Sequence, residues 1–199
     1  RMRTIVMADN GIAFDGDALD PGPLGGAETA FISLAEALAA RGHRVQVFNR
    51  CSRPMSQNGV SWNSIEGGMP DSADLYIANR GDKLLPLVPL AAARVFWIHN
   101  PADYLKKWRY VSKLWSNRPT VVFSSNFHVR SFPRWIPVGG KATIPYGISK
   151  PFIELNPPRK PPAPRAVFTS SPLRSLDWLL KTWATEIWPH VQEAELHVF

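Results

Sequence analysis

The chain has 199 residues, of which 45% are hydrophobic and 20% are charged, a balance typical of a globular protein that can bury a core. We find no apolar run of about 18 residues and no signal-peptide pattern, so we expect a cytoplasmic protein without a transmembrane helix. Cys51 is the single cysteine, which excludes an intrachain disulfide. The net charge of +7 favours anionic partners such as nucleotides, phosphates, nucleic acid or anionic membrane.

The first βαβ unit has the clearest pattern in the sequence. Residues 4–8 and 44–48 are predicted strands, and the helix between them makes the two strands parallel. Gly42 follows Arg41 where a left-handed C-cap is expected. Apolar residues recur at helical spacing on one face, which we expect to be buried: Ala27, Ala30, Phe31, Leu34 and Leu38.

Gly25 and Gly26 open this helix after a stretch without periodicity, residues 9–24, which is longer than most structureless loops. Two residues without a Cβ let a ligand approach the backbone, and the first helical turn offers unpaired N–H groups and a partial positive charge. We therefore expect a phosphate to bind there. The alternative is that the glycines only form a tight turn, with Glu28 as a first-turn charge that the helix dipole favours.

Strands and helices alternate through the rest of the first half. The alternation predicts an α/β protein with a doubly wound parallel sheet that binds ligands at the carboxyl ends of its strands. The predicted strands are 60–65, 74–79, 94–99, 120–123 and 141–144, with a short helix or turns over 83–93, a helix over 103–115 and a capped helix over 127–132.

The predicted helix 103–115 interleaves cations with aromatic residues. A solvated face with extended lysines is one interpretation, and a patch for anionic lipid is another. Nucleic acid is the least favoured partner, because no groove-reading motif accompanies the charge. The residues are Lys106, Lys107, Arg109 and Lys113 among Tyr104, Leu105, Trp108, Tyr110 and Trp115.

The composition changes near residue 157. Five of the eight residues from 157 to 164 are proline, which predicts an extended linker over 149–164. Beyond it, strand 166–169, helix 176–187 and strand 195–199 form one βαβ unit, which is too small to bury its own core. We expect 165–199 to be the beginning of a second domain that is cut short.

Four segments resemble the amino-terminal half of a two-domain GT-B glycosyltransferase, in particular the family-four (group 1) type. They are residues 25–28 with 34–45, residues 97–100, residues 144–148 and residues 173–180. The resemblance implies a Rossmann-like acceptor-side domain over 1–148 and the first βαβ unit of a donor-binding domain over 165–199. It implies transfer of a sugar from a nucleoside-diphosphate sugar to a hydroxyl of a glycan or lipid-linked acceptor, with retention and without a metal or cofactor.

The resemblance also implies roles for seven residues. His99 and Arg174 are the expected catalytic residues, and Gly25, Gly26 and Glu28, together with Arg174, are expected to bind the donor and its phosphates. Arg174 stands where the family has a lysine, and the family's second cation has no counterpart here. Asn100 and Tyr146 are expected on the acceptor side. For His99 we expect hydrogen bonding to sugar oxygens more than proton transfer. The alternative is a structural histidine at the start of a loop, with its ring nitrogens hydrogen-bonded within the protein.

The same sequence also bears on other classes of function. A nicotinamide or flavin oxidoreductase is disfavoured, because residues 7–11 lack the glycine-rich fingerprint after the first strand. A sugar-nucleotide epimerase of the same fold and a non-catalytic carbohydrate- or nucleotide-binding protein stay open. We expect the 199-residue chain to bind sugar nucleotide weakly and turn over little, and we expect any membrane contact to be peripheral.

Overall fold

A computed structural model describes residues 1–19, 24–148, 150–154, 156 and 163–199. The chain divides into two compact units, Arg1–Gly147 and Ile148–Phe199. Half of the predicted proline-rich linker, residues 149, 155 and 157–162, lies outside the described ranges. Within its described half, Lys150–Ile153 form a short helix and not the predicted extended chain. The assignment of acceptor and donor domains stays a prediction.

The first unit is built on an eight-stranded sheet. The strands lie in the order 3-4-2-1-5-6-7-8, and every neighbouring pair is parallel except the antiparallel pair at the edge, strands 3 and 4. This confirms the predicted α/β sheet. The strands are β1 (Thr4–Asp9), β2 (Arg44–Asn49), β3 (Met55–Gln57), β4 (Val60–Ser64), β5 (Ser72–Asn79), β6 (Leu90–Trp97), β7 (Thr120–Phe123) and β8 (Gly140–Thr143).

Helices cover both faces of this sheet, as a doubly wound fold requires. One apolar cluster joins the first helix to one face of the sheet, and a second cluster joins the next two helices to the other face. The helices are α1 (Gly26–Ala40), α2 (Trp108–Asn117) and α3 (Asn126–Arg130), with 3-10 turns at Gly16–Leu19, Ile65–Gly67, Asp82–Leu84 and Ala102–Lys106.

Helix α1 ends as predicted, because Gly42 adopts a φ of +81° and donates its N–H to the carbonyl of Ala39 at 2.9 Å. Its buried stripe differs from the predicted face. Phe31, Ile32 and Ala35 are fully buried, whereas the predicted core residues Leu34 and Leu38 are only partly buried. The stripe also includes Glu28, and a search for apolar periodicity cannot detect an inward-facing carboxylate.

The structure differs from the predictions in two segments. The single helix predicted over 103–115 is a 3-10 turn followed by α2, because the backbone is extended at Lys107, with a ψ of 133°. The short helix or turns predicted over 83–93 are present up to residue 89, as a 3-10 turn and further turns, but residues 90–93 belong to a longer β6. Its first residues pair in parallel with β5 although most of their side chains are not buried, so no hydrophobic pattern marks them.

The direction in which the chain adds strands reverses between β1 and β5. From β1 the chain builds outward to β2 and β4, and from β5 it builds in the opposite direction to β8. In doubly wound sheets, ligands bind in the crevice outside the carboxyl ends of the strands at such a switch point. The carboxyl ends of β1 and β5 are therefore the expected ligand-binding edge of this sheet.

The second unit contains a parallel pair of strands with one connecting helix. Ala194 is the one buried hydrophobic residue in the described part of this unit, which agrees with the expectation that one βαβ unit forms little core. Its elements are α4 (Lys150–Ile153), β9 (Arg165–Phe168), α5 (Leu176–Thr182), a π-helical turn at Trp183–Ile187 and β10 (Glu195–Val198).

None of the helices in the described ranges combines the length and the apolarity that crossing a bilayer requires.

Candidate functional site

Three polar side chains meet at the switch point because the strands place them in one row. Asp9 and Asn79 are the last residues of β1 and β5 and are partners in register. Asn79 in turn lies opposite Trp97, the last residue of β6, and His99 follows two positions later. Side chains alternate along a strand, so this spacing points His99 to the same face as Trp97, the face that α1 covers.

Asp9 is the anchor of this row. Its side chain is fully buried, and a buried carboxylate is tolerated only when it is paired and hydrogen-bonded. It accepts hydrogen bonds from the backbone N–H of Gly11 at 2.7 Å and from Nδ2 of Asn79 at 2.5 Å. The guanidinium of Arg80 donates to it through Nε at 3.2 Å and through Nη2 at 3.0 Å.

Arg80 links Asp9 to helix α1. Its Nη2 also donates to Oε1 of Glu28 at 2.6 Å, so one guanidinium joins the carboxyl end of β1 to the first turn of α1. The residue has a φ of +57°, which is uncommon for a side chain other than glycine. Gly11 leaves room for this side chain, because a Cβ there would lie 2.7 Å from Nη2 of Arg80 and would displace the guanidinium.

Asp9 and Arg80 are site residues that the sequence analysis missed. The available signal was position: Asp9 and the pair Asn79-Arg80 directly end or follow predicted strands of a sheet expected to bind ligands at that edge.

Glu28 occupies the space beside Gly25. The Glu28 side chain is buried, and its carboxylate contacts the place where a Cβ on Gly25 would stand. Burial alone would raise the pKa of Glu28, but the hydrogen bond from Arg80 and a bond to its own backbone N–H outweigh burial and lower the pKa. Gly26 differs, because a Cβ there would meet no atom within 4 Å.

The start of α1 is therefore less cationic than the sequence suggests. Two carboxylates, Asp9 and Glu28, surround one guanidinium, which leaves a formal charge of −1 beside the helix end. The geometry fits the alternative in which Glu28 is a first-turn charge. Whether Gly25, Gly26 and Glu28 bind phosphates stays a prediction, and the open side of that site is at Gly26.

His99 has both ring nitrogens engaged. Nε2 lies 2.6 Å from Oδ1 of Asn79, and Nδ1 lies 2.5 Å from the hydroxyl of Tyr146. Burial lowers the pKa of His99, and the nearby Arg80 guanidinium lowers it further, to about 4, although Asp9 and Glu28 act in the opposite direction. The imidazole is therefore neutral at neutral pH and is a weak base.

Tyr146 brings the chain of hydrogen bonds to the surface. Its side chain is 46% exposed, and its ring is nearly parallel to that of His99, with an interplanar angle of 8° and a centroid distance of 5.9 Å. Burial of part of the side chain raises the pKa of Tyr146, so the hydroxyl keeps its proton at neutral pH. Trp97 lies 4.8 Å from His99 between ring centroids, and its buried indole N–H has no acceptor among the described residues.

Asn100 is positioned by a histidine that the sequence analysis did not single out. Buried His128 accepts the backbone N–H of Ser124 on Nδ1 at 3.3 Å, so its Nε2 carries the proton that it donates to the carbonyl of Asn100 at 2.6 Å. The side chain of Asn100 itself is exposed. The loop after β6 therefore has a fixed backbone and a side chain free to reach a ligand.

Arg174 belongs to the second unit. It lies in a turn just before α5, where its backbone N–H donates to Ser171 at 2.8 Å, and its side chain is exposed. Within the part of the chain that the structure describes, it forms no ion pair. No group of three or more His, Cys, Asp or Glu side chains in those same ranges is placed to hold a metal ion.

The fold is similar to that of a solved glycosyltransferase. The match is to the crystal structure of WaaG, described as a glycosyltransferase involved in lipopolysaccharide biosynthesis, with a TM-score of 0.60 and 14% sequence identity. It covers 98% of this chain and 62% of that chain, so the 199 residues span less than two thirds of the neighbour's length. No protein-family model and no curated protein matches the sequence. At this identity the likeness shows the fold alone, and membership of family four stays a prediction.

We predict that His99 titrates far below an ordinary histidine. Because its pKa is about 4 in the folded chain and about 6.5 when unfolded, the unfolded state takes up a proton first as the pH falls. Stability from this group is therefore complete above pH 6.5 and is lost between pH 6.5 and 4, by about 1–3 kcal/mol after allowance for the partial exposure of the ring.

An NMR titration of the His99 ring protons measures this pKa directly. Urea unfolding across the same pH range, compared with a His99→Gln variant, isolates the contribution of His99 from that of the carboxylates. A midpoint near 6.5 for His99, or the same pH dependence of unfolding in the variant, would contradict the prediction.

Proposed function

We propose that the protein is a glycosyltransferase that moves a sugar from a nucleoside-diphosphate sugar to a hydroxyl acceptor. The observation that supports this most is the polar cluster at the switch point of a sheet whose fold, over nearly the whole chain, is that of a solved glycosyltransferase. Because one fold can host several functions, the side chains at the site must support the proposal as well as the fold does.

The side chains of the first unit suit a neutral, hydroxyl-bearing group better than a phosphate. Asp9 and Glu28 together outweigh the charge of Arg80, and His99 is neutral. An anion would be repelled by this net charge, whereas a sugar hydroxyl can both donate and accept hydrogen bonds there. We therefore place the transferred sugar or the acceptor hydroxyl beside His99 and Tyr146, with Asn100 as a further acceptor-side contact.

The diphosphate of the donor needs positive charge from elsewhere. The exposed amide at Gly26 and the first turn of α1 offer backbone donors, and a helix end alone is worth only about 0.3–1 kcal/mol per anion. We propose that Arg174 supplies the additional cation, because a guanidinium fork matches phosphate oxygens. Preorganised donors of this kind would stabilise the diphosphate as the glycosidic bond to the leaving group breaks, without a metal ion.

We propose that the anomeric carbon of the transferred sugar keeps its configuration. At neutral pH His99 is too weak a base to remove a proton efficiently, which favours a role in holding sugar oxygens. An epimerase or a non-catalytic sugar-binding protein would use the same side chains, and both are outcomes of the experiment below.

Binding and turnover of nucleotide sugars test the proposal. A panel of uridine, guanosine and adenosine diphosphate sugars is titrated into the purified chain, followed by backbone amide shifts and by release of nucleoside diphosphate in the presence of glycan acceptors. We expect weak binding with shifts at Gly26, and a 10- to 100-fold weaker affinity for Arg174→Ala, the range expected for hydrogen bonds to a charged group.

Lys181→Ala is the matched control, since it removes an exposed cation from the same unit and should leave the affinity unchanged. Binding without any released diphosphate would favour the non-catalytic protein, and conversion of the donor sugar to its epimer would favour the epimerase. No binding of any nucleotide sugar would refute the proposal.

We also propose that the basic surface around α2 contacts anionic membrane, where a lipid-linked acceptor would reside. Trp108 and Trp115 lie seven residues apart on α2, are 71% and 59% exposed, and therefore share one side of the helix. Exposed Lys106 and Lys107 precede them, and buried Asp82 neutralises part of the charge by pairing with Lys113 at 2.8 Å. Such a surface with exposed tryptophans is typical of peripheral membrane contact.

We predict that the chain is retained on vesicles that contain phosphatidylglycerol at low salt and is released at high salt. Each basic side chain near such a surface contributes about 1 kcal/mol, so Lys106→Gln with Lys107→Gln should weaken binding roughly 10-fold or more. The double variant Arg41→Gln with Arg44→Gln removes the same charge from exposed positions near the end of α1 and should have a smaller effect. Failure to bind anionic vesicles at low salt would disprove the membrane contact and favour a solvated surface.

A further inference from the structure

Four side chains form a continuous line of hydrogen bonds from the centre of the sheet to the surface. Asp9 is fully buried at one end, and Tyr146 is 46% exposed at the other. Asn79 and His99 connect them, with heavy-atom distances of 2.5, 2.6 and 2.5 Å along the line. Each link has one donor and one acceptor, so the direction of the first bond decides the direction of all the others.

The first bond has only one allowed direction. A carboxylate can only accept hydrogen bonds, so Asp9 must face the amide nitrogen of Asn79 and not its oxygen. The amide oxygen of Asn79 then faces His99 and needs a donor there, which places the ring proton on Nε2. A neutral imidazole with its proton on Nε2 has a lone pair on Nδ1, so Nδ1 must accept the hydroxyl proton of Tyr146.

We propose that Asp9 and Asn79 are positioning residues that hold Tyr146 as a hydrogen-bond acceptor, so that this end of the site binds a ligand hydroxyl and rejects groups that can only accept. The Tyr146 hydroxyl donates its one proton in the hydrogen bond to His99, so only its lone pairs face the solvent. A sugar hydroxyl can donate to those lone pairs, whereas a phosphate oxygen without a proton meets them with a lone pair of its own. The ligand class in this inference rests on the proposed function. The polarity of the line, by which we mean the donor-to-acceptor direction of its hydrogen bonds, does not.

The surroundings of the line support this polarity. Arg80 donates to the same carboxylate from the side, and Gly11 donates from the backbone, so Asp9 is surrounded by donors. Partial burial keeps the hydroxyl of Tyr146 protonated, because it raises the pKa of the phenol. Trp97 and Tyr146 both lie beside His99, with ring centroids 4.8 and 5.9 Å from that of the imidazole.

The tautomer of His99 tests the polarity without any ligand. Long-range proton–nitrogen correlation spectra of the uniformly labelled chain at neutral pH distinguish a proton on Nε2 from one on Nδ1. We expect the Nε2–H form in the wild-type chain and in Tyr146→Phe, because the direction is set at the Asp9 end. In Asp9→Asn the amide of Asn79 is free to turn over, and we expect a mixture of the two tautomers.

A proton on Nδ1 in the wild-type chain, or a change of tautomer in Tyr146→Phe but not in Asp9→Asn, would overturn the inference. If Asp9→Asn fails to fold, Asn79→Leu removes the central link while leaving the carboxylate paired with Arg80. In that variant we also expect loss of the single tautomer, and an unchanged Nε2–H form there would overturn the inference equally.

Two small probes test the ligand class. Glucose carries hydroxyl donors, and sulfate at neutral pH carries none, so at equal ionic strength we expect glucose and not sulfate to shift the ring signals of Tyr146 and His99. Tyr146→Phe should raise the dissociation constant for glucose by about 2- to 10-fold, the range for one neutral hydrogen bond. Shifts from sulfate alone, or no effect of Tyr146→Phe on the glucose titration, would overturn the assignment of a hydroxyl ligand even if nucleotide sugars bind elsewhere.

Discussion

The buried carboxylate of Asp9 is the constraint on which the rest of the site depends. A fully buried charge is costly unless donors surround it, and here the donors come from the loop after β1 and from the carboxyl end of β5 and its following residue. Satisfying this one group orients Asn79 and Arg80. Through them it orients His99 and Glu28, which come from two further elements. The shape of the site therefore follows from the need to pair a single charge.

That requirement changes the chemical character expected at the start of α1. The two glycines do leave the backbone accessible at Gly26, but the space beside Gly25 holds the carboxylate of Glu28, which Arg80 ties to Asp9. The side chains around Arg80 thereby carry a formal charge of −1, which disfavours an anion beside Gly25. In the proposed function, positive charge for the diphosphate comes from Arg174.

The sequence predicts most of the fold because apolar residues repeat with the periods of strands and helices. It places β1, β2, β5, β7 and α1 within a few residues and indicates the carboxyl edge of the sheet, but the switch point depends on the spatial order of the strands, which the structure supplies. It cannot predict the pairing of Arg80 with Asp9, because those residues are 71 positions apart and meet only when β1 and β5 are in register. It likewise misses the extended residue Lys107 that interrupts the predicted helix 103–115, because the local pattern of side chains continues across the break.

A double-mutant cycle on Asp9 and Arg80 tests the central role of this pair most directly. The free energies of unfolding in urea are measured for the wild-type chain, Asp9→Asn, Arg80→Gln and the double variant. If Asp9 is held by Arg80 as described, each single change is strongly destabilising, the double variant loses less than the sum, and the coupling free energy is about 1–3 kcal/mol. Losses that add to within about 0.5 kcal/mol would show that the two groups act independently, and the account of a site built around one buried carboxylate would be contradicted.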